Sequence, residues 1–130
     1  MTNFEIKNLQ TIPYDEAMTS MEELHAKRVA NEAQNTLFLL QHEPVITKGR
    51  RLKGHVIANQ EQILKHGIAI AEADRGGKLT YHGPGQLVVY FVFKVDEVFS
   101  GVNAMVHGIE DMLKSFLQER FSLDTYTDPE

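Results

Sequence analysis

Arg75-Gly-Gly-Lys-Leu-Thr-Tyr-His-Gly-Pro-Gly-Gln86 sets four glycines and a proline around a short β-prone run, Leu79-Thr80-Tyr81. Glycine admits backbone conformations that a Cβ forbids and lets a ligand approach the main chain closely. Beside that backbone stand a cation (Arg75), a hydroxyl (Thr80), a phenol (Tyr81) and an imidazole (His82). A tight turn between two strands explains Gly83-Pro84-Gly85 taken alone. It does not explain Gly76-Gly77 as well, with Thr-Tyr-His between the pairs, so the stretch reads as a binding site.

The flanks of this stretch are strand-like. Gln86-Leu-Val-Val-Tyr-Phe-Val-Phe93 is β-branched and aromatic throughout, and Ile68-Ala-Ile-Ala71 reads as a strand leading into the glycines. Further upstream, Gln60 to His66 predicts a short helix closed by Gly67. In His42-Glu-Pro-Val-Ile-Thr-Lys-Gly-Arg-Arg-Leu-Lys-Gly54, Pro44 argues against a strand at its own position and two glycines signal a loop. Thr36 to Gln41 is a continuous apolar run of the kind buried strands use. Before it, Tyr14, Ala17, Met18, Met21, Leu24 and Ala26 predict an amphipathic helix from about Tyr14 to Ala30, with Pro13 at its start and Asp15 and Glu16 in its first turn. Phe4, Ile6 and Leu9 suggest a first strand. Val102, Met105, Ile109, Met112, Leu113, Phe116 and Leu117 predict one face of a second long helix, and the tail from Asp124 to Glu130 has no periodicity.

Strands and helices thus mix without regular βαβ alternation, which predicts an α+β fold with a mixed or antiparallel sheet packed with helices. Across 130 residues there is room for one domain, 42% of residues are apolar, and the formal net charge is -5. That charge argues against a general nucleic-acid binder. The absence of cysteine excludes disulfides, thiolate metal sites and a cysteine nucleophile from these residues. No signal peptide and no membrane-length apolar run is visible, so a cytoplasmic protein is expected.

Generic phosphate loops do not fit. No Gly-x-x-x-x-Gly-Lys-Ser/Thr string occurs, and Gly83-Pro84-Gly85 lacks the third glycine of a dinucleotide fingerprint while its proline removes a donor. The full string Arg75-Gly-Gly-x-x-Thr-Tyr-His-Gly-Pro-Gly-Gln86 instead closely resembles the signature of the octanoyltransferases of lipoate synthesis, within the biotin/lipoate protein ligase-like superfamily. Asn35 to Arg50 resembles that family's strand and loop leading to a Thr-x-Gly segment, and Gln86 to Tyr90 its following strand. The likeness is close over Leu39 to Phe93. Lipoate–protein ligases carry three consecutive glycines and an acidic residue after Tyr-His, so Gly-Pro-Gly-Gln favours the transferase branch.

This resemblance implies transfer of an octanoyl group from acyl carrier protein to a lysine of an apo lipoyl domain, in 2-oxoacid dehydrogenases or the glycine cleavage H protein. No cofactor, metal, nucleic acid or membrane is implied. Arg75, Gly76, Gly77, Lys78, Leu79, Thr80, Tyr81 and His82 would line the substrate site, with Gly83, Pro84 and Gly85 as its turn. Leu79, Val89 or Phe91 would supply an apolar slot for the chain. The family reacts through a cysteine thioester assisted by a lysine, both downstream of the helix that here closes near Phe121. Residues 1–130 would then be the N-terminal part of a catalytic domain with no catalytic residue of its own. A catalytically incomplete acyl-binding fragment, or one subunit of a split transferase with a second chain as partner, is the alternative. Such a half-sheet would expose edges and apolar faces, and be unstable alone or need a partner.

The remaining polar groups add less. Ser20, Ser100 and Ser122 lack a nucleophile-elbow context. Lys78, at a variable motif position, reads as a solvated side chain rather than a base. Lys48, Arg50, Arg51 and Lys53 form a basic cluster that is either an ordinary solvated loop or a dock for acidic acyl carrier protein. Of the six histidines none forms a His-Glu-x-x-His pair, and only His82 stands inside the motif.

Overall fold

Buried and half-buried residues alternate along strand β2 (Asn35–His42), with Thr36, Phe38, Leu40 and His42 on the buried face. That face meets helix α1 (Tyr14–Val29), which turns Ala17 and Leu24 toward it. Successive side chains of a strand point to opposite sides, so a run that is apolar on both parities needs cover on both. Strand β1 (Phe4–Ile12) pairs parallel with β2, and strand β6 (Val88–Val92) pairs antiparallel on its other side, giving the order β1-β2-β6. Ala17, Leu24, Phe38, Leu40 and Val92 form the core between helix and sheet. Phe38 and Leu40 are each 2% exposed, and truncating either to alanine removes about 2–5 kcal/mol.

The computed structural model describes residues 4–128. A second mixed sheet has the order β4-β3-β5, with β3 (Val45–Lys48) in its centre, β4 (Ala69–Glu72) parallel to it and β5 (Leu79–His82) antiparallel. The short helix α2 (Gln60–Lys65) precedes β4. The fold is therefore α+β with mixed sheets. Strand β3 differs from the loop reading of His42 to Gly54. Pro44 lies just outside the strand and its carbonyl accepts the Ala69 N–H, while Val45 and Thr47 are both almost wholly buried. A four-residue strand between a proline and a glycine is too short for its alternation to show against the turn signals.

Contacts divide the described chain into two compact units, residues 4–92 and residues 93–128. The second unit is carried by helix α3 (Val102–Phe121), whose C-terminus is closed by Ser122 at φ +55° with its N–H on the Gln118 carbonyl. Gly108 lies under the Phe99 ring, where a Cβ would come within 2.7 Å of the ring edge. The expected apolar face exists as a stripe, yet Val102, Val106, Met112, Leu113, Phe116 and Phe121 are all exposed. Periodicity shows that a face is apolar; it does not supply the surface that covers it. No helix among the described residues is long and apolar enough to cross a membrane.

Candidate functional site

The glycine-rich stretch folds against the segment that follows β3, and main-chain hydrogen bonds join the two. The Gly49 N–H donates to the Lys78 carbonyl (2.6 Å), Arg50 N–H to the Arg75 carbonyl (2.9 Å), and Ala73 N–H to the Lys48 carbonyl (2.9 Å). The approach is so close that a Cβ on Gly49 would stand 2.7 Å from the carbonyl oxygens of both Gly76 and Gly77. Gly77 itself sits at φ +80°, a conformation other residues rarely adopt. The Thr-x-Gly segment, Thr47 to Gly49, is thus a floor shaped for the Arg-Gly-Gly loop.

Arg75 clamps this junction. Its Nη2 donates to the Thr47 carbonyl (2.9 Å) and Thr47 Oγ1 (2.6 Å), and its Nη1 to the Gly76 carbonyl (2.9 Å). Thr47 Oγ1 faces the Thr80 carbonyl in turn, at 3.4 Å. Arg75 was expected as a polar wall of the site; its guanidinium is spent on holding the loop. Gly76, Gly77 and Lys78 are exposed, Leu79 and Tyr81 are about half exposed, and Thr80 and His82 alternate with them as half-buried residues. Register pairs Val45 with His82, Ile46 with Tyr81, Thr47 with Thr80 and Lys48 with Leu79.

Gly83-Pro84-Gly85-Gln86 is a turn closed by the Gln86 N–H on the Gly83 carbonyl (3.2 Å), with Gly85 at φ +93° as a type II turn requires. It links β5 to β6, which lie in different sheets, so it is a crossover rather than a hairpin. Gln41 Oε1 accepts the Gly85 N–H at 2.7 Å and ties the turn to β2. The Tyr81 ring lies over Gly83, where a Cβ would press on the ring and its hydroxyl. Leu79 stands on β5, Val89 and Phe91 on β6; with Leu79 and Phe91 exposed, the three form no closed slot by themselves.

At the end of β5 the site gains residues that the sequence did not single out. His82 Nδ1–H donates to Gln86 Oε1 at 2.5 Å, and the His82 ring meets that of His42 at a centroid distance of 5.7 Å and an angle of 63°. His42 is 0% exposed and is also in ring contact with Tyr14 (5.2 Å) and Tyr90 (5.8 Å). Its Nε2 lies 2.8 Å from the Tyr90 hydroxyl and its Nδ1 3.4 Å from the Ile12 carbonyl. Burial pushes the His42 imidazole below its ordinary value, against the Ile12 contact, and the neighbouring His82 ring acts in the same direction as burial. Burial also pushes the Tyr90 phenol up to about 12, with Tyr14 adding to the effect, and raises Tyr14 against the pull of Arg75. These shifts favour the neutral forms of His42, Tyr90 and Tyr14. The signal for His42 was present in strand parity: it follows Phe38 and Leu40 at intervals of two.

The basic cluster divides. Lys48 belongs to β3 and donates to the His55 carbonyl (3.0 Å) beside Glu72 (3.4 Å), and Arg50 lies 3.4 Å from Asp74. Arg51 and Lys53 are exposed on the short 3-10 turn that starts at Arg50 and in the bend after it. A hollow of about 300 Å3 between this loop and α1 is lined by Tyr14, Met18, Glu22, Arg50, Lys53, Glu72, Ala73 and Asp74. Among the described residues no group of three histidine or acidic side chains could hold a metal ion.

Residues 13–128 match the lipoyl protein ligase A/B catalytic domain. The chain belongs to this family. An octanoyltransferase of Caldicellulosiruptor saccharolyticus is 40% identical over 121 residues, which is 92% of this chain and 52% of that protein. The chain therefore spans about half the length of the curated relatives it matches. Among solved structures, P. falciparum LipL1 in complex with lipoate superimposes with a TM-score of 0.73 at 15% identity, covering 98% of this chain and 39% of the other. A bi-partite lipoate protein ligase from Thermoplasma acidophilum, solved with its E2 lipoyl domain, gives 0.61 at 17%, covering 99% and 49%. At such identities these likenesses establish the fold.

Proposed function

We propose that this chain is the N-terminal, acyl-binding part of an octanoyltransferase, whose whole enzyme moves octanoyl from acyl carrier protein to a lysine of a lipoyl domain. One observation carries the reading. The Arg75–Gln86 string, which has the transferase rather than the ligase pattern, is tied by Arg75 and its glycines to the Thr47–Gly49 floor, with His82 in ring contact with the buried His42. The backbone of Gly76 to Lys78 and the wall of Thr80, Tyr81 and His82 would clasp the thioester end of the acyl group, with Arg75 fixing the loop. Half-buried polar groups around an otherwise apolar ligand are the usual means of fixing its orientation. The exposed Arg51 and Lys53, on a loop joined to the glycines through Arg50 and Gly49, suit an acidic acyl carrier protein.

These 130 residues hold no cysteine, so the nucleophile of this chemistry would come from residues outside them. A second reading, one subunit of a split transferase, is favoured by the likeness to a bi-partite ligase. One experiment tests both: the pure chain is incubated with octanoyl-acyl carrier protein and an apo lipoyl domain, and the mass of the lipoyl domain is followed. Octanoyl-lysine formed without a further protein sinks both readings, since each takes its nucleophile from outside these residues. Carrier binding without transfer supports the acyl-binding role, and neither binding nor transfer refutes both.

A further inference from the structure

His42 is the largest departure from what the proposed site needs. It is a titratable side chain with 0% exposure, placed on the core face of β2 directly after Leu40. A plain hydrophobe would fill that position at less cost, since burying an imidazole demands partners for both nitrogens. Both partners are present and they differ in kind. The Ile12 carbonyl can only accept, so Nδ1 must carry the proton. Nε2 then bears the lone pair, and it accepts from the Tyr90 hydroxyl at 2.8 Å. Tyr90 keeps its proton because burial drives its phenol up to about 12. The titratable groups in ring contact with His42 are Tyr14 from α1, His82 from β5 and Tyr90 from β6, while Arg75 acts on Tyr14.

We infer that His42 is a positioning residue for His82: fixed in one tautomer by Ile12 and Tyr90, it provides the buried ring against which His82 is oriented, so that His82 keeps Nδ1–H on Gln86 and leaves Nε2 as an acceptor at the site. His82 Nε2 has no hydrogen-bond partner among the described residues, and its ring is held from two sides, by Gln86 and by His42. A rotatable or protonated ring at position 42 would remove the second of these supports. It would also bring a second cation beside any proton His82 takes up. The inference rests on the reading of His82 as a wall of the acyl site, but its test needs no acyl group.

The test is nitrogen-resolved NMR of the histidine rings in the 130-residue chain, wild type against Tyr90→Phe, His42→Leu and Gln86→Leu. In the wild type His42 should be a single Nδ1–H tautomer that does not titrate near neutral pH, and His82 should also be Nδ1–H. Tyr90→Phe deletes one oxygen and keeps the ring, so the fold should survive. It leaves the His42 ring held by the Ile12 carbonyl alone, which should let that ring rotate and turn His82 into a tautomer mixture. His42→Leu removes the ring from this buried position and should likewise release His82, whereas Gln86→Leu should release His82 without disturbing His42. A His82 tautomer unchanged in folded Tyr90→Phe overturns the inference, as does a wild-type His42 that titrates normally. Failure of octanoyl transfer would leave these readouts intact, so the two readings fail separately.

Discussion

Replacing Gly49 by alanine should unseat the glycine-rich loop. The Gly49 backbone, at φ -72° and ψ 176°, accepts any residue, so the penalty is contact alone. The new Cβ would lie 2.7 Å from two carbonyl oxygens, those of Gly76 and Gly77, and 3.0 Å from Arg75 Nη1. Neither carbonyl is the end of a flexible side chain. Both belong to a loop tied by the Gly49–Lys78 and Arg50–Arg75 hydrogen bonds and by Arg75 on Thr47, so relief requires moving the loop as a body. Overpacking of this kind costs about 1–3 kcal/mol. Taking about 2 kcal/mol, and roughly 4 °C per kcal/mol at this chain length, the melting temperature should fall by about 8 °C. Gly76→Ala is the control, because nothing lies within 4 Å of its Cβ position. It should match the wild type or gain about 0.4–1 kcal/mol from a stiffer unfolded chain. Thermal melts followed by circular dichroism compare the pair. Equal melting temperatures for Gly49→Ala and wild type, or an equal loss in Gly76→Ala, would refute the close-packed floor.

Thr47→Val keeps the buried shape and removes the hydroxyl that accepts from Arg75 and faces Thr80; it should cost about 1–3 kcal/mol in urea denaturation, and no loss would show that the clamp is idle. Gly83→Ala meets the Tyr81 ring, which is 54% exposed and can swing away, so its melting temperature should fall less than that of Gly49→Ala while Tyr81 fluorescence changes. Because His42 is depressed below its ordinary 6.5, the unfolded state binds the extra proton: this part of the stability is present above pH 6.5 and declines as pH falls below it, at most about 1.4 kcal/mol per pH unit. His42→Phe should flatten that limb of the urea midpoint against pH, and an unchanged slope would remove His42 as its source. Charge reversal of Arg51 should weaken octanoyl-carrier-protein binding in a salt-dependent way, and affinity equal to wild type at low salt would dismiss the docking loop.

Much of the fold was legible from pattern. The helix from Tyr14, the strand over Thr36 to Gln41, the short helix before Gly67 and the strand before the glycines all stand where periodicity and turn residues put them. Strand β3 was hidden because Pro44 and Gly49 bracket four residues, and its identity comes from two neighbours distant in sequence, β4 and β5. The exposed stripe of α3 is the opposite case, a pattern read correctly as amphipathic without the surface that would bury it.

By itself the sequence determined the chemistry of the Arg75–Gln86 string, its turn and its family, since glycine spacing and residue type are local properties. Tertiary structure decided what each side chain does there. It turned Arg75 inward onto Thr47, made Gly49 obligatory beneath Gly76 and Gly77, and placed Tyr14, His42 and Tyr90 behind His82. Those contacts join residues 27 to 48 positions apart. Their geometry follows from how two sheets and a helix pack, which one-dimensional spacing does not encode.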